Sequence, residues 1–266
     1  FDYSWPLIVV GMAGIINETF DRSIFKWVSP FGLAKNEALL GEYGAAYKLT
    51  MILTLFTQAY RMGAEPFFFK SKNDENAPKI YALATKYFAL VASIGMLATL
   101  LYLDLLKRIL IHPKLWQGIG VVPILLLANL CLGLYYNVSI WYRIKDKTKI
   151  GLYISLIGAA TTIFFNYYWI PKIGYMGCAW ATFLCYAVML ILCYRVGQKY
   201  YKISYPVANI IWYISLAFGF YLFSLILPPL RLLPKLFIHS CLFLIYLGVL
   251  FVVEKENWKK DFKQVI

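Results

Sequence analysis

The sequence predicts an all-α fold, a polytopic transmembrane helical bundle of about eight spans. Three observations predict it. Hydrophobic residues fill 61% of the 266 positions, charged residues only 15%, and the mean hydropathy is +0.65. A soluble domain carries about 45–50% apolar and roughly 25% charged residues, so this chain has too little polar surface to stay dissolved. The apolar residues also fall in runs of about 20, the length that crosses roughly 30 Å of hydrocarbon. Finally, most of the bases lie in the short segments between those runs. Together these exclude an ordinary cytosolic enzyme, a disordered chain and a disulfide-stapled secreted module.

The spans fall at 5–25, 43–62, 80–103, 118–142, 150–170, 175–194, 206–227 and 233–253. Asp2 to Pro6 forms an interfacial lead-in to the first. The chain starts at Phe1 with no signal-peptide pattern, which predicts a fragment whose upstream part is missing. The fifth and sixth spans are separated only by Pro171-Lys172-Ile173-Gly174, so they must be antiparallel neighbours. Between the third and fourth, residues 104–116 mix bases with apolar residues and predict a helix lying along the outer leaflet. The expected organisation is a six-helix lobe over 1–202, two additional spans over 203–254, and a cytoplasmic tail over 255–266.

Net charge is +13, from 26 Lys and Arg against 13 Asp and Glu. In this setting the bases orient helices and meet anionic headgroups, and they do not predict nucleic-acid binding. Bases at 61–79, 143–149, 195–202 and 255–263 outnumber those on the opposite loops, so the first set, and both ends of the chain, should face the cytoplasm. All five cysteines lie in apolar runs without metal-ligand spacing and read as buried free thiols. With only two histidines, His112 and His239, a zinc site is not expected. No phosphate-cradling loop and no hydrolase constellation is present, so the expectation is a protein that is not an enzyme and uses no cofactor.

Polar residues inside spans are costly and mark function. In the second span Tyr43, Tyr47, Thr50, Thr54, Thr57, Gln58, Arg61 and Glu65 fall on one side at helical spacing, opposite Leu49, Ile52, Leu53, Leu55 and Phe56. Such a stripe lines a wet cavity or bonds to neighbouring helices. Arg61 and Glu65 are four apart and can pair if the helix persists. In the first span Gly11, Gly14, Glu18, Asp21 and Arg22 share a face, with Asn17 at its edge. Glu18 lies deepest, suited either to carry a coupling proton or to form a carboxylate–arginine latch. Lys86 lies in the inner part of the third span, and Asn166 near the outer end of the fifth. The last two spans read as almost purely apolar and lipid-facing.

Three stretches resemble a known family. They are Ile16-Asn17-Glu18-Thr19-Phe20-Asp21-Arg22; GEYGAAYKLT from Gly41 with AYRMGAEPFFF from Ala59; and Asn166 with IPKIGYMGCAWAT from Ile170. Together they are similar to the C-terminal half of polysaccharide-biosynthesis (oligosaccharide) flippases, a superfamily shared with lipid II flippases and multidrug and toxin extrusion exporters. The resemblance implies one six-helix lobe of a two-lobe transporter, plus two extra spans, in the bacterial inner membrane. It implies transport of an undecaprenyl-pyrophosphate-linked oligosaccharide by alternating access, with a missing N-terminal lobe and a coupling proton or sodium ion as partners beside membrane lipids. Arg61 would then meet pyrophosphate or acidic sugar, and Tyr43, Tyr47 and Gln58 the sugars. A small-molecule exporter, a lipid II flippase and an integral-membrane glycan polymerase or ligase are the alternatives.

Overall fold

A computed structural model describes residues 8, 11, 12, 20–228 and 231–265; side chains are described up to Trp258, Glu256 excepted. Every element among these residues is a helix. They are α1 (residues 20–28), α2 (Leu33–Lys70), α3 (Ala77–Leu101), α4 (Leu103–Leu110), a 3₁₀ stretch (Pro113–Val121), α5 (Val122–Val138), α6 (Ile140–Ile144), α7 (Thr148–Ile173), α8 (Tyr175–Tyr200), α9 (Val207–Ile226) and α10 (Leu232–Val265). Six helical segments are long and apolar enough to cross a membrane: Ala77–Leu101, Pro113–Ile144, Thr148–Ile173, Tyr175–Tyr200, Val207–Ile226 and Leu232–Lys255. A multi-pass membrane protein follows, because large apolar side chains such as Val91, Phe164, Ile226, Leu233 and Phe237 are exposed along these helices and need lipid to cover them.

Several boundaries move from their expected places. α2 is far longer than its apolar run and carries Pro66 inside it, so Arg61 and Glu65 lie on helix and the connection to α3 shortens to 71–76. The fourth span opens as 3₁₀ turns and breaks at Ser139 before α6. Pro171 sits in the last turn of α7, and Gly174 makes the reversal with φ +59°, a conformation that costs glycine nothing. α10 continues as helix through the predicted tail. The helix expected over 104–116 is shorter: α4 is amphipathic, buries none of its residues and ends at Leu110, with 3₁₀ turns following from Pro113.

The chain divides into two compact units. The first comprises Phe1–Thr54 and His112–Lys202, and α8 is its centre, packed against both α5 and α7. The face α8 presents is built of small or slender residues, Cys178, Ala181, Thr182, Cys185, Met189 and Cys193, which let helices approach closely. Three cysteines, Cys178, Cys185 and Cys193, are thus buried free thiols; Cys131 is half-buried and Cys241 exposed, contrary to the expectation for all five. Trp141 closes the α6 end, donating its Nε1–H to the Cys193 carbonyl at 3.2 Å and stacking on Tyr200.

The second unit comprises Leu55–Ile111 and Ile203–Ile266, and in it α3 packs against α9 and α10. It groups α3 and α4 with the two C-terminal helices, a different partition from 1–202 and 203–254. The expectation that the last two spans are almost purely apolar is corrected here. α10 carries a polar seam along α3. Lys235 Nζ meets Asp104 just past the end of α3, and His239 donates Nδ1–H to the Leu101 carbonyl at 2.5 Å. Ser240 bonds Tyr102 at 2.8 Å and Tyr246 bonds Ser93 at 2.9 Å. Glu254 closes the seam on Lys86 at 2.7 Å, with Tyr213 of α9 donating to its other oxygen at 2.5 Å. As numbers rise along α10 they fall along α3, so the helices are antiparallel and in one register. From Lys235 to Glu254 the seam rises close to 30 Å, about the thickness of the hydrocarbon core.

The two ends of the seam differ physically. Asp104 is partly exposed; partial burial pushes its pKa up, but hydrogen bonds and charge from Lys107 and Lys235 outweigh this and hold it down at about 2. Lys86 and Glu254 are almost wholly buried, at 5% and 1% side-chain exposure. Removing one partner of a buried pair strands the other charge, at about 3–5 kcal/mol. Glu254→Gln should therefore lower the thermal midpoint of the detergent-purified protein markedly. Lys86→Met with Glu254→Gln should recover most of that loss, since no charge is then buried and the amide still accepts from Tyr213. A double variant no more stable than Glu254→Gln would contradict the pairing.

Candidate functional site

The predicted stripe on α2 divides between the two units, whose boundary falls after Thr54. On the first-unit part Tyr43 is fully buried and Tyr47 half-buried. Thr50 is buried and donates to the Tyr47 carbonyl at 2.8 Å; Thr54 donates to the Thr50 carbonyl at 3.4 Å. Both hydroxyls are thus turned back onto their own helix, the usual resource of threonine inside a helix. Their place on the stripe reflects helix self-satisfaction as much as any cavity. Leu49 and Leu53, predicted opposite the stripe, are buried, so α2 is packed on more than one side here.

α1 brings Asp21 and Arg22 to the same tyrosines. Asp21 is buried at 1% exposure, and its carboxylate accepts from the Tyr43 hydroxyl at 2.6 Å and from the Arg22 backbone N–H at 2.7 Å. The Arg22 guanidinium carbon lies 4.6 Å from the Tyr47 ring centroid and 6.0 Å from that of Tyr43. Cation–π contacts of this kind contribute about 0.5–2 kcal/mol, more as water is excluded. Arg22 Nε is buried with no hydrogen-bond partner. Tyr175, opening α8, adds a third ring, 6.5 Å from Tyr43. The two groups of residues that sequence placed on separate spans, Asp21 and Arg22 on one and Tyr43 and Tyr47 on the other, are therefore one cluster. Its carboxylate is committed to tyrosine, and its guanidinium lies between aromatic faces. Anions and polyols are the ligands such a combination suits. Asn17 and Glu18, expected to extend this face, lie outside the described residues.

On the second-unit part of α2 the helix persists far enough for the predicted pair. Arg61 Nε meets Glu65 Oε2 at 3.4 Å, both side chains about one-third exposed. At that exposure the pair adds little stability. Gln58, one turn before, is exposed, while Thr57 is buried. Behind them Phe56 and Tyr60 pack on Phe88 of α3, at 5.7 and 4.8 Å between centroids, so the aromatic side of the helix fixes the direction in which the polar side points.

Two further features were only partly legible. Asn166 on α7 is fully buried with neither amide atom hydrogen-bonded, and Thr162, one turn earlier, is buried beside Cys185 of α8. The Lys86–Glu254–Tyr213 group was not foreseen as a group; the signal was a lysine and a glutamate each just inside the same-side ends of their spans. Among the described residues no three His, Cys, Asp or Glu side chains gather as a metal site. No protein-family model, curated protein or solved structure matches the chain.

A hydrogen bond to a buried carboxylate contributes about 1.5–3 kcal/mol. A double-mutant cycle of Tyr43→Phe and Asp21→Ala, each of which removes one partner of the bond, read by thermal unfolding, should show coupling of that size. Additive losses would mean that the two side chains do not meet.

Proposed function

We propose that this chain is a lobe of a membrane transporter that moves an undecaprenyl-pyrophosphate-linked oligosaccharide across the bacterial inner membrane by alternating access. In this reading α2 and the segment 5–25 join the six apolar helices to give eight spans, with both ends cytoplasmic. A second lobe completes the pathway. A proton or sodium ion drives it, with Glu18 as the candidate group to carry the coupling.

The observation that carries the reading is Arg61. It stands on a helical turn within the Ala59–Phe69 block that resembles the flippase family, partly exposed and contacting Glu65 at 3.4 Å. An arginine so placed costs insertion energy and returns little as an ion pair. Its planar fork of donors is suited to bidentate contact with a phosphate. Arg22, flanked by Tyr47 and Tyr43, offers the same chemistry beside rings on which sugars can stack.

The test is Arg61→Ala in the full-length protein, in a strain whose surface glycan depends on it. Losing a charge-assisted phosphate contact should cut glycan export about tenfold or more, with insertion and abundance unchanged. Arg61→Lys, which keeps charge but not the fork, should fall between. Normal surface glycan in Arg61→Ala would overturn the assigned role.

A further inference from the structure

A cavity of about 300 Å³ opens between α9 and α10 where the two helices meet the loop that joins them. That is about ten times the ~30 Å³ share of one water in the liquid. Ser224, Pro228, Lys235 and His239 line it. Lys235 is partly exposed and shares Asp104 with Lys107, which leaves one carboxylate between two ammonium groups. Arg231, one turn before Lys235 on the same chain segment, is exposed. His239 is 4% exposed, and its Nδ1–H is committed to the Leu101 carbonyl. In the tautomer with its proton on Nδ1 the ring keeps Nε2 as an acceptor, and Nε2 is buried with no hydrogen-bond partner. A buried acceptor without a partner is costly, and a ligand carrying a donor would satisfy it.

The flanks decide the source of such a ligand. Leu225 and Ile226 on α9, and Leu233 and Phe237 on α10, are 61–81% exposed immediately beside the cavity. A free anion has no use for these side chains, whereas acyl chains would cover them. We propose that the cavity seats the headgroup of an anionic phospholipid, its phosphate on the Lys235 ammonium and a headgroup hydroxyl donating to His239 Nε2, with the acyl chains along the exposed faces of α9 and α10. Phosphatidylglycerol has this chemistry. The site does not depend on what the protein transports. It rests only on the protein spanning a membrane.

The experiment uses the full chain, purified and delipidated in a neutral detergent, with thermal midpoint followed during titration of phosphatidylglycerol, diacylglycerol or inorganic phosphate. Phosphatidylglycerol should raise the midpoint saturably, and the other two should not. An equal rise with diacylglycerol would show that acyl contact alone is responsible, and an equal rise with inorganic phosphate would show a free-anion site; either overturns the proposal. Lys235→Gln should weaken the apparent affinity for phosphatidylglycerol about tenfold, the equivalent of ~1.4 kcal/mol. Asp104→Asn separates this from loss of the Asp104 tie: it breaks the same ion pair but keeps the ammonium, and should bind at least as tightly as the wild type. Equal weakening in both variants would reduce Lys235 to a structural tether and overturn the proposal.

Discussion

Inside a bilayer no water stands ready to satisfy a stray hydrogen-bonding group, so each polar side chain in a span must find its partner in the protein. The Lys86–Glu254 pair is the point where that constraint is most severe. Each member alone would be expensive to bury without its partner. Together, with Tyr213 on the remaining carboxylate oxygen, they are compatible with full burial. The requirement also fixes geometry. α9 and α10 bury little of their surface, and dispersion forces between apolar helices in lipid do not select a register. The polar seam does, because a one-residue slip of α10 would rotate His239, Tyr246 and Glu254 away from their partners together.

The same constraint explains the first unit differently. There the buried carboxylate is Asp21, which accepts from the Tyr43 hydroxyl and the Arg22 backbone N–H. The cation that is nearby, Arg22, rests on tyrosine faces. A guanidinium resting on aromatic faces with its Nε unbonded keeps donors for a ligand, whereas the closed Lys86–Glu254 pair is suited to holding helices together. On this basis the Asp21–Arg22–Tyr43–Tyr47 cluster and the Arg61–Glu65 turn are the places to look for function, and the α3–α10 seam is scaffold.

What could be read from sequence follows the length scale of each signal. Long apolar runs need only composition, and they marked six of the helices within a few residues. The α7–α8 pairing needed only the shortness of its turn, and the amphipathic character of α4 only its mixture of bases and apolar residues. The extent of α2 escaped because helix continues through polar and even proline-containing sequence once its first turns are packed; Pro66 was no terminator. The seam escaped for a different reason. Lys86 and Glu254 are separated by most of the chain, and nothing local to either reveals the other. Likewise Tyr43 and Asp21 were each legible as polar residues of a span, but their meeting is a tertiary fact. The threonines of α2 show the reverse error: their helical spacing was legible, yet Thr50 and Thr54 spend their hydroxyls on their own backbone.

The register of α10 on α3 is the claim on which the scaffold stands. It can be measured by replacing the native cysteines and introducing pairs for a short bifunctional thiol reagent: Ser93→Cys with Tyr246→Cys, and as an off-register comparison Ile94→Cys with Tyr246→Cys, the substituted Ile94 lying about 100° further round α3. Efficient cross-linking of the first pair, well above the second, is the result this register predicts. Equal or reversed yields in membranes would contradict it and separate α10 from the partners that its polar side chains require.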